Sequence, residues 1–176
     1  MHCGTLAHAI VPPAGSTIGN LNACLICERV ALAKEGRNPH LIAEMDHSYF
    51  VLGDHQFYQG YALLLLKEHV REPFDLPPHV QREHFREVMR TAESIDNTFQ
   101  FWKMNLSCYG NAEPHVHWHI VPRYENDPNP GKNPWQDIAR FSERTITAGQ
   151  AREIAHGSDA PSPDPASVPP GGCLAF

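Results

Sequence analysis

Residues 115–120 alternate histidine with an apolar residue. In an extended strand, residues two positions apart share a face, so His115, His117 and His119 are expected in a row on one face. The intervening valine, tryptophan and isoleucine then form an apolar row on the opposite face, which needs a packed layer against it. Packing does not explain the imidazole row, because three neighbouring imidazoles repel one another when protonated. The pattern therefore predicts a half-buried strand with a chemical role on one face.

The chain around this strand predicts its partner strands. Residues 48–54 and 60–69 are β-type runs joined by a polar stretch, and we expect them to form a hairpin. The second run is apolar on both faces, which is typical of a central strand. Residues 102–110 and 115–124 predict a second hairpin, which should end near Pro122 because proline cannot donate to a sheet ladder.

A helix is predicted between the two hairpins. From Pro77 to about Phe101, apolar residues recur at three- and four-residue steps. His84 lies in this stretch among charged neighbours, so we expect it to be solvated. A weaker helical pattern begins at Pro134 and predicts a C-terminal helix.

Composition sets the domain organisation and excludes some functions. With 176 residues and 41% hydrophobic residues, the chain predicts one domain over residues 20–155, with a flexible segment 1–19 and a disordered Pro/Gly/Ser-rich tail 156–176. The net charge of −6 argues against binding of a nucleic acid polymer over a broad basic face. No apolar run approaches membrane-spanning length and no signal-peptide pattern opens the chain, so we expect a cytoplasmic protein without membrane contact.

Two kinds of chemistry use a row of imidazoles. One is metal chelation. The other is attack on phosphorus, in which a neutral imidazole is the nucleophile and a neighbouring protonated imidazole donates a hydrogen bond to the phosphate oxygens. The second kind of chemistry takes both its nucleophile and its hydrogen-bond donor from one strand.

The motifs resemble those of the histidine-triad (HIT) superfamily of nucleotide hydrolases and transferases. "HVHWHIVPR" is similar to its triad signature, "CLICERV" to the Cys-x-x-Cys opening of many members, and "GYALLLLKEH" to its Gly-His-x-Leu-Val-x-Pro-Lys-x-His strand. With "MNLSCYGN" following in family order, the likeness covers roughly residues 22–125. It implies an α+β fold, in which a HIT-like antiparallel sheet of about five strands carries a long helix and a C-terminal helix on one side, and a homodimer.

The resemblance also implies roles for the triad. His117 matches the nucleophile that attacks the α-phosphorus and holds a nucleotidylyl intermediate. His119 matches the residue that hydrogen-bonds the phosphate, and His115 the one whose backbone carbonyl orients the nucleophilic ring. The candidate substrate-binding residues are Asn105, Asn111, Asp54 and Arg123.

Three positions depart from the family pattern. Ala112 stands where many members have Ser or Thr near the leaving group, and Tyr61 replaces the usual His after Gly. Gly53 stands where a ribose-binding Asp or Asn is common, and Asp54, one place later, is a candidate to replace it.

Cys24 and Cys27 have three interpretations: a thioredoxin-like redox pair, small buried hydrophobic residues, or two metal ligands. A structural zinc site needs four nitrogen or sulfur ligands. The family resemblance points to His69 and His115 as the other two. Such a zinc would stabilise the fold and take no part in catalysis, which needs no catalytic metal.

The sequence thus predicts an enzyme that hydrolyses or transfers a nucleoside monophosphate group. The expected substrate is a dinucleoside polyphosphate, a nucleoside phosphoramidate or a related nucleotide. Two alternatives remain open: a metal-dependent hydrolase that uses the histidine row as ligands, and a nucleotide-binding sensor without turnover. The departures at Ala112 and Tyr61 motivate the sensor.

Overall fold

One antiparallel sheet organises the residues described by the computed structural model, which are 24–147 and 149–150. Five strands form it in the order β1-β2-β3-β5-β4. Their bounds are Leu41–Glu44 (β1), Ser48–Leu52 (β2), Ala62–Leu66 (β3), Lys103–Ser107 (β4) and His117–Arg123 (β5). This confirms the expected α+β fold, while the terminal segments 1–19 and 156–176 lie outside the described residues.

The helices connect and flank the strands. Helix α1 spans Leu25–Lys34 and helix α2 spans Pro78–Phe99. Two 3₁₀ segments cover Pro73–Asp75 and Pro134–Arg144. The predicted long helix is confirmed, and the C-terminal helical pattern corresponds to the second 3₁₀ segment.

Strand pairing confirms both predicted hairpins. β2 pairs with β3, and β4 pairs with β5. β5 continues through Pro122 because its pairing with β3 reaches only as far as the Ala62–Ile120 pair. The missing N–H of the proline therefore breaks no bond to β3.

The two faces of the sheet are covered by different elements. Helix α2 packs its buried Val88 and Ile95 against Phe50, Leu64 and Ile120 on one face. This face also carries Trp118, as the alternation in residues 115–120 predicts.

Helix α1 covers the opposite face, so the expectation that the helices lie on one side is wrong. Ile26 and Ala33 of α1 pack with Tyr49 and Leu65. Since Tyr49 and Phe50 are successive strand residues, their side chains lie on opposite faces. The 3₁₀ segment Pro134–Arg144 extends this second layer through Phe141.

His84 is buried, which corrects its predicted exposure; only 3% of its surface is accessible. The indole Nε1–H of Trp118 donates to His84 Nε2 over 3.1 Å. Nε2 is then an acceptor, so the proton lies on Nδ1 and is donated to Ser48 Oγ, 2.9 Å away. This bonding joins α2 to β2 and β5 and explains why a histidine is accommodated in the core.

Within the described residues, no helix combines the length and the apolar character that crossing a membrane requires.

Candidate active site and metal centre

His117 opens β5 with its ring held by the backbone. Its Nδ1 lies 2.6 Å from the carbonyl oxygen of His115, and a carbonyl can only accept, so Nδ1 carries the proton. Any lone pair on the ring is therefore on Nε2. The residue is buried, with 6% of its surface accessible, which limits the ring to this orientation. The geometry leaves Nε2 available as a nucleophile.

His119 lies beside His117 in an aromatic enclosure. The ring centroids of the two histidines are 4.9 Å apart, and the Trp135 ring contacts His119 edge-on at 4.7 Å. The hydroxyl of Tyr61 lies 2.7 Å from His119 Nδ1. Burial, with a further contribution from the charge of His117, lowers the pKa of His119 to about 4. His119 is therefore neutral at pH 7, which differs from the protonated imidazole expected from the sequence.

A pocket of about 410 Å³ adjoins the two rings. The face of β3 and β5 that carries Leu63, His117 and His119 forms the floor of the pocket. Helix α1, the loop before β5 and the 3₁₀ segment Pro134–Arg144 form its walls. The lining residues used below are Leu25, Leu63, Asn111, His117, His119 and Trp135. Leu25, Ile26 and Leu63 also line a neighbouring apolar cleft between α1 and β2–β3, so the two spaces share these three side chains.

The His115 ring turns away from this pocket. Its Nε2–H donates to the carbonyl oxygen of Leu66 over 2.8 Å, which leaves the lone pair on Nδ1. That Nδ1 lies 3.2 Å from Nδ1 of His69, 3.3 Å from Sγ of Cys27 and 3.6 Å from Sγ of Cys24. All four donor atoms lie within 4.8 Å of one another.

This Cys₂His₂ cluster fits a tetrahedral metal ion. Bonds of about 2.0–2.1 Å to nitrogen and 2.3 Å to sulfur place tetrahedral ligand atoms roughly 3.3–3.8 Å apart, close to the spacing observed. Burial, together with the neighbouring Cys24, raises the pKa of the Cys27 thiol to about 11. Two adjacent thiolates are therefore unfavourable unless a cation offsets their charge. Cys24, Cys27, His69 and His115 can hold a metal ion.

The predicted substrate-binding residues are not all brought together. Asn111 lines the triad pocket. Asn105 lies on edge strand β4 and accepts from Arg123 Nη1 over 3.2 Å. Arg123 is 1% exposed, and its other bonds go to Asp127 and to backbone carbonyls of the 129–132 loop. The prediction that Arg123 contacts an anionic substrate is therefore wrong on geometric grounds, because its guanidinium is committed to the fold.

Asp54 lies at the far end of the apolar cleft, where Arg29 engages both of its carboxylate oxygens at 2.8 and 2.5 Å. Burial raises the pKa of Asp54, but the hydrogen bonds and charge of Arg29 outweigh this effect and lower it overall. Arg29 therefore occupies one acceptor position on each Asp54 oxygen and competes with a ligand hydroxyl for this carboxylate.

Comparison with known proteins decides the family. The model of the HIT domain matches residues 35–126. This chain belongs to the HIT domain family. The family comprises nucleotide-binding proteins, with hydrolases and transferases among them.

Several HIT proteins resemble this chain. Protein hit of Bacillus subtilis (strain 168) is 26% identical over an alignment of 110 residues, and the match covers 57% of this chain and 71% of that protein. A histidine-triad protein of Sinorhizobium meliloti superposes with a TM-score of 0.61 at 20% identity, over 79% of this chain and 97% of its own. A zinc-bound histidine-triad family protein of Mycobacterium smegmatis superposes with a TM-score of 0.55 at 21% identity, over 78% and 93%.

Two departures of this HIT domain are linked in space. A Cβ atom on Gly53 would lie 2.6 Å from the Tyr61 ring, closer than side-chain contacts allow. The tyrosine ring thus fills the space that a side chain at position 53 would need. Sequence motifs did not identify Trp135 or Leu25 as pocket residues. Trp135 lies outside every motif, Leu25 occupies a variable position between the two cysteines, and each reaches the pocket through the fold.

Proposed function

We propose that this HIT protein cleaves nucleotides at the α-phosphorus through a covalent adduct on His117. One observation carries the proposal: Nδ1–H of His117 donates to the His115 carbonyl, which leaves the Nε2 lone pair on a residue that lines the pocket. A neutral imidazole fixed in this tautomer is a competent nucleophile at neutral pH.

The reaction has two displacement steps. His117 Nε2 forms a bond to the α-phosphorus, and the bond from phosphorus to the leaving group breaks, with its electron pair going to the leaving group. Water then attacks the same phosphorus, the phosphorus–nitrogen bond breaks, and its electron pair returns to Nε2. The water proton is released and nucleoside monophosphate departs; another acceptor in place of water makes the same reaction a transfer.

The cleft beside the triad supports a nucleoside as the other part of the substrate. Leu25, Ile26 and Leu63 line both the triad pocket and the apolar cleft, which Arg29 and Asp54 also line. A base can bury its faces there while its phosphate lies at the imidazoles. Dinucleoside polyphosphates and nucleoside phosphoramidates both present this combination.

Zinc is the proposed occupant of the Cys₂His₂ cluster, with Sγ of both cysteines and Nδ1 of both histidines as ligands. The zinc-bound Mycobacterium smegmatis relative supports this choice. Bound zinc would tie the start of α1 to the loop before β5 and would stabilise the fold. No catalytic step is assigned to it.

The orientations of the three histidine rings disfavour the alternative in which they chelate one reactive metal ion. The His115 ring lies with Cys24, Cys27 and His69, and His117 Nδ1 is bonded to a carbonyl. The histidines of the row therefore do not converge on one point.

Rapid-quench mass spectrometry tests the proposed mechanism. The protein is mixed with adenosine and guanosine polyphosphates and phosphoramidates, and quenched within milliseconds. We expect a nucleoside monophosphate adduct on the peptide that contains His117, and none in a His117→Ala variant. Release of monophosphate without any adduct, or an adduct on another peptide, contradicts the mechanism. Binding without any release instead supports the sensor.

Two predictions remain: a homodimer, which the resemblance implies, and a cytoplasmic location, which the sequence pattern predicts. Sedimentation equilibrium measures the first, with a mass of twice 19.7 kDa expected. Fractionation of cells that express the full chain measures the second.

A further inference from the structure

We propose that Tyr61 is a positioning residue that holds His119 as the neutral Nε2–H tautomer, and that this site therefore favours phosphoanhydride substrates over phosphoramidates. The inference rests on the proposed function, because it concerns the leaving group expelled by His117. It extends that proposal by linking a substrate class to one hydroxyl group.

The direction of the Tyr61–His119 hydrogen bond follows from the donors available. Among the described residues, His119 Nδ1 is the one hydrogen-bond partner of the Tyr61 hydroxyl. If Nδ1–H donated to the oxygen, the buried O–H would have no acceptor, and leaving a buried donor unpaired costs about 1–3 kcal/mol. The hydroxyl therefore donates to Nδ1, and the ring proton lies on Nε2.

The surroundings hold this arrangement in place. Tyr61 is 7% exposed and its ring lies nearly parallel to that of His119, with an interplanar angle of 15°. Gly53 leaves room for the phenol, and Trp135 and His117 contact His119 from other directions. Burial, together with the charge of Asp54, raises the pKa of Tyr61, so the hydroxyl keeps its proton at neutral pH.

A neutral Nε2–H can donate a hydrogen bond to a phosphate oxygen, but it is a poor source of a proton. Cleavage of a phosphoanhydride needs none, since the phosphorus–oxygen electron pair leaves on a weakly basic phosphate. Cleavage of a phosphoramidate breaks a phosphorus–nitrogen bond, and the departing amine nitrogen must gain a proton as it leaves. A protonated imidazole supplies that proton readily, whereas the tautomer fixed by Tyr61 does not.

Nitrogen-15 NMR of histidine-labelled protein tests the tautomer without any substrate. At pH 7 we expect the His119 signals, assigned by their loss in His119→Gln, to show a protonated Nε2 and an unprotonated Nδ1. In Tyr61→Phe, which keeps the ring and removes the hydroxyl, the signals should move towards a mixture of tautomers or the charged form. A wild-type His119 that is charged or protonated on Nδ1 overturns the proposal.

Kinetics test the substrate class. The wild-type protein should have a higher kcat/KM for diadenosine polyphosphate than for adenosine phosphoramidate, and Tyr61→Phe should lower that ratio about 3- to 10-fold, the range for one hydrogen bond. Tyr124→Phe is the matched control, since its hydroxyl donates to the Gln59 carbonyl instead. A phosphoramidate preference in the wild type, or an unchanged ratio in Tyr61→Phe, overturns the inference. If no adduct forms with any nucleotide, the proposed function fails while the NMR result still reports on Tyr61.

Discussion

The carbonyl oxygen of His115 lies 2.6 Å from Nδ1 of His117, while the His115 ring lies in the Cys₂His₂ cluster. One residue therefore contributes its side chain to the candidate metal centre and its backbone to the candidate nucleophile. Displacement of the His115 ring would also move the acceptor that fixes the His117 tautomer. The metal centre and the triad are consequently coupled through a single residue.

Zinc removal should reduce stability first and activity second. We expect about one equivalent of zinc per chain in the wild type. His69→Ala and Cys24→Ser should each lose the zinc and lower the unfolding free energy by at least about 3 kcal/mol. Elemental analysis and urea unfolding measure these changes. Cys108→Ser, at a free cysteine outside the cluster, is the control and should keep its zinc. A metal-free wild type, purified without chelators, would reject the zinc proposal.

Substitution of His117 should separate binding from chemistry. His117→Ala should abolish turnover with little change in nucleotide affinity, because the lost bond forms only on the way to the transition state. Added imidazole should restore part of the turnover in His117→Gly by occupying the vacated space. His119→Ala should weaken binding and lower the rate by roughly 10²–10³-fold, as for loss of a hydrogen-bond donor to a developing anion. Wild-type turnover in His117→Ala would exclude a covalent role.

The contact between Gly53 and Tyr61 predicts a stability coupling. Gly53→Ala places a Cβ atom 2.6 Å from the Tyr61 ring and should lower the unfolding free energy by about 1–3 kcal/mol. In a Tyr61→Ala background the same change should cost clearly less, because only the 3.1 Å approach of the added Cβ to the backbone oxygen of residue 61 remains. Gly131→Ala is the control, since no heavy atom lies within 4 Å of its added Cβ. Equal costs in both backgrounds would show that the ring does not fill this space.

Acid should destabilise the protein partly through His119. Its pKa falls from 6.5 to about 4 on folding because of burial and the charge of His117. Between these values the unfolded state binds the additional proton, so the unfolding free energy decreases as the pH falls, by roughly 2–3 kcal/mol from this residue. Urea unfolding at pH 7 and pH 4 should show that His119→Gln loses less stability than the wild type. Parallel losses would mean that His119 titrates normally.

The Arg29–Asp54 ion pair should suppress recognition of ribose. Since Arg29 engages both oxygens of Asp54, we expect kcat/KM for ribonucleotides and their 3′-deoxy analogues to differ by less than about 3-fold. Arg29→Met should free the carboxylate and increase that difference. Arg37→Met, whose guanidinium pairs with Glu35, is the control. A large ribose preference in the wild type would mean that the substrate displaces Arg29.

Periodicity explains which parts of the fold the sequence predicts. Alternation assigned the faces of β5, and apolar residues at helical spacing located α2, because each element buries one continuous stripe. Helix α1 buries only Ile26 and Ala33, and the four-residue β1 is too short for a repeat, so neither has a comparable signal.

Long-range contacts explain the residues whose environments were mispredicted. The local neighbours of His84 are charged, yet its hydrogen-bond partners Ser48 and Trp118 come from distant strands. Arg123 follows the triad strand, but the loop after it supplies acceptors that hold its side chain inside the fold. Local sequence does not indicate such partners, because folding alone brings them near.

The anchoring of Trp118 to His84 makes β5 intolerant of changes in length. Removing one residue between His117 and Arg123 would reverse the orientation of every side chain beyond the deletion. Loss of His117, for example, would turn His119 towards α2 and would move the indole of Trp118 into the substrate pocket, away from its acceptor. In a scan of single-residue deletions, a deletion at any position of β5 should therefore prevent correct folding.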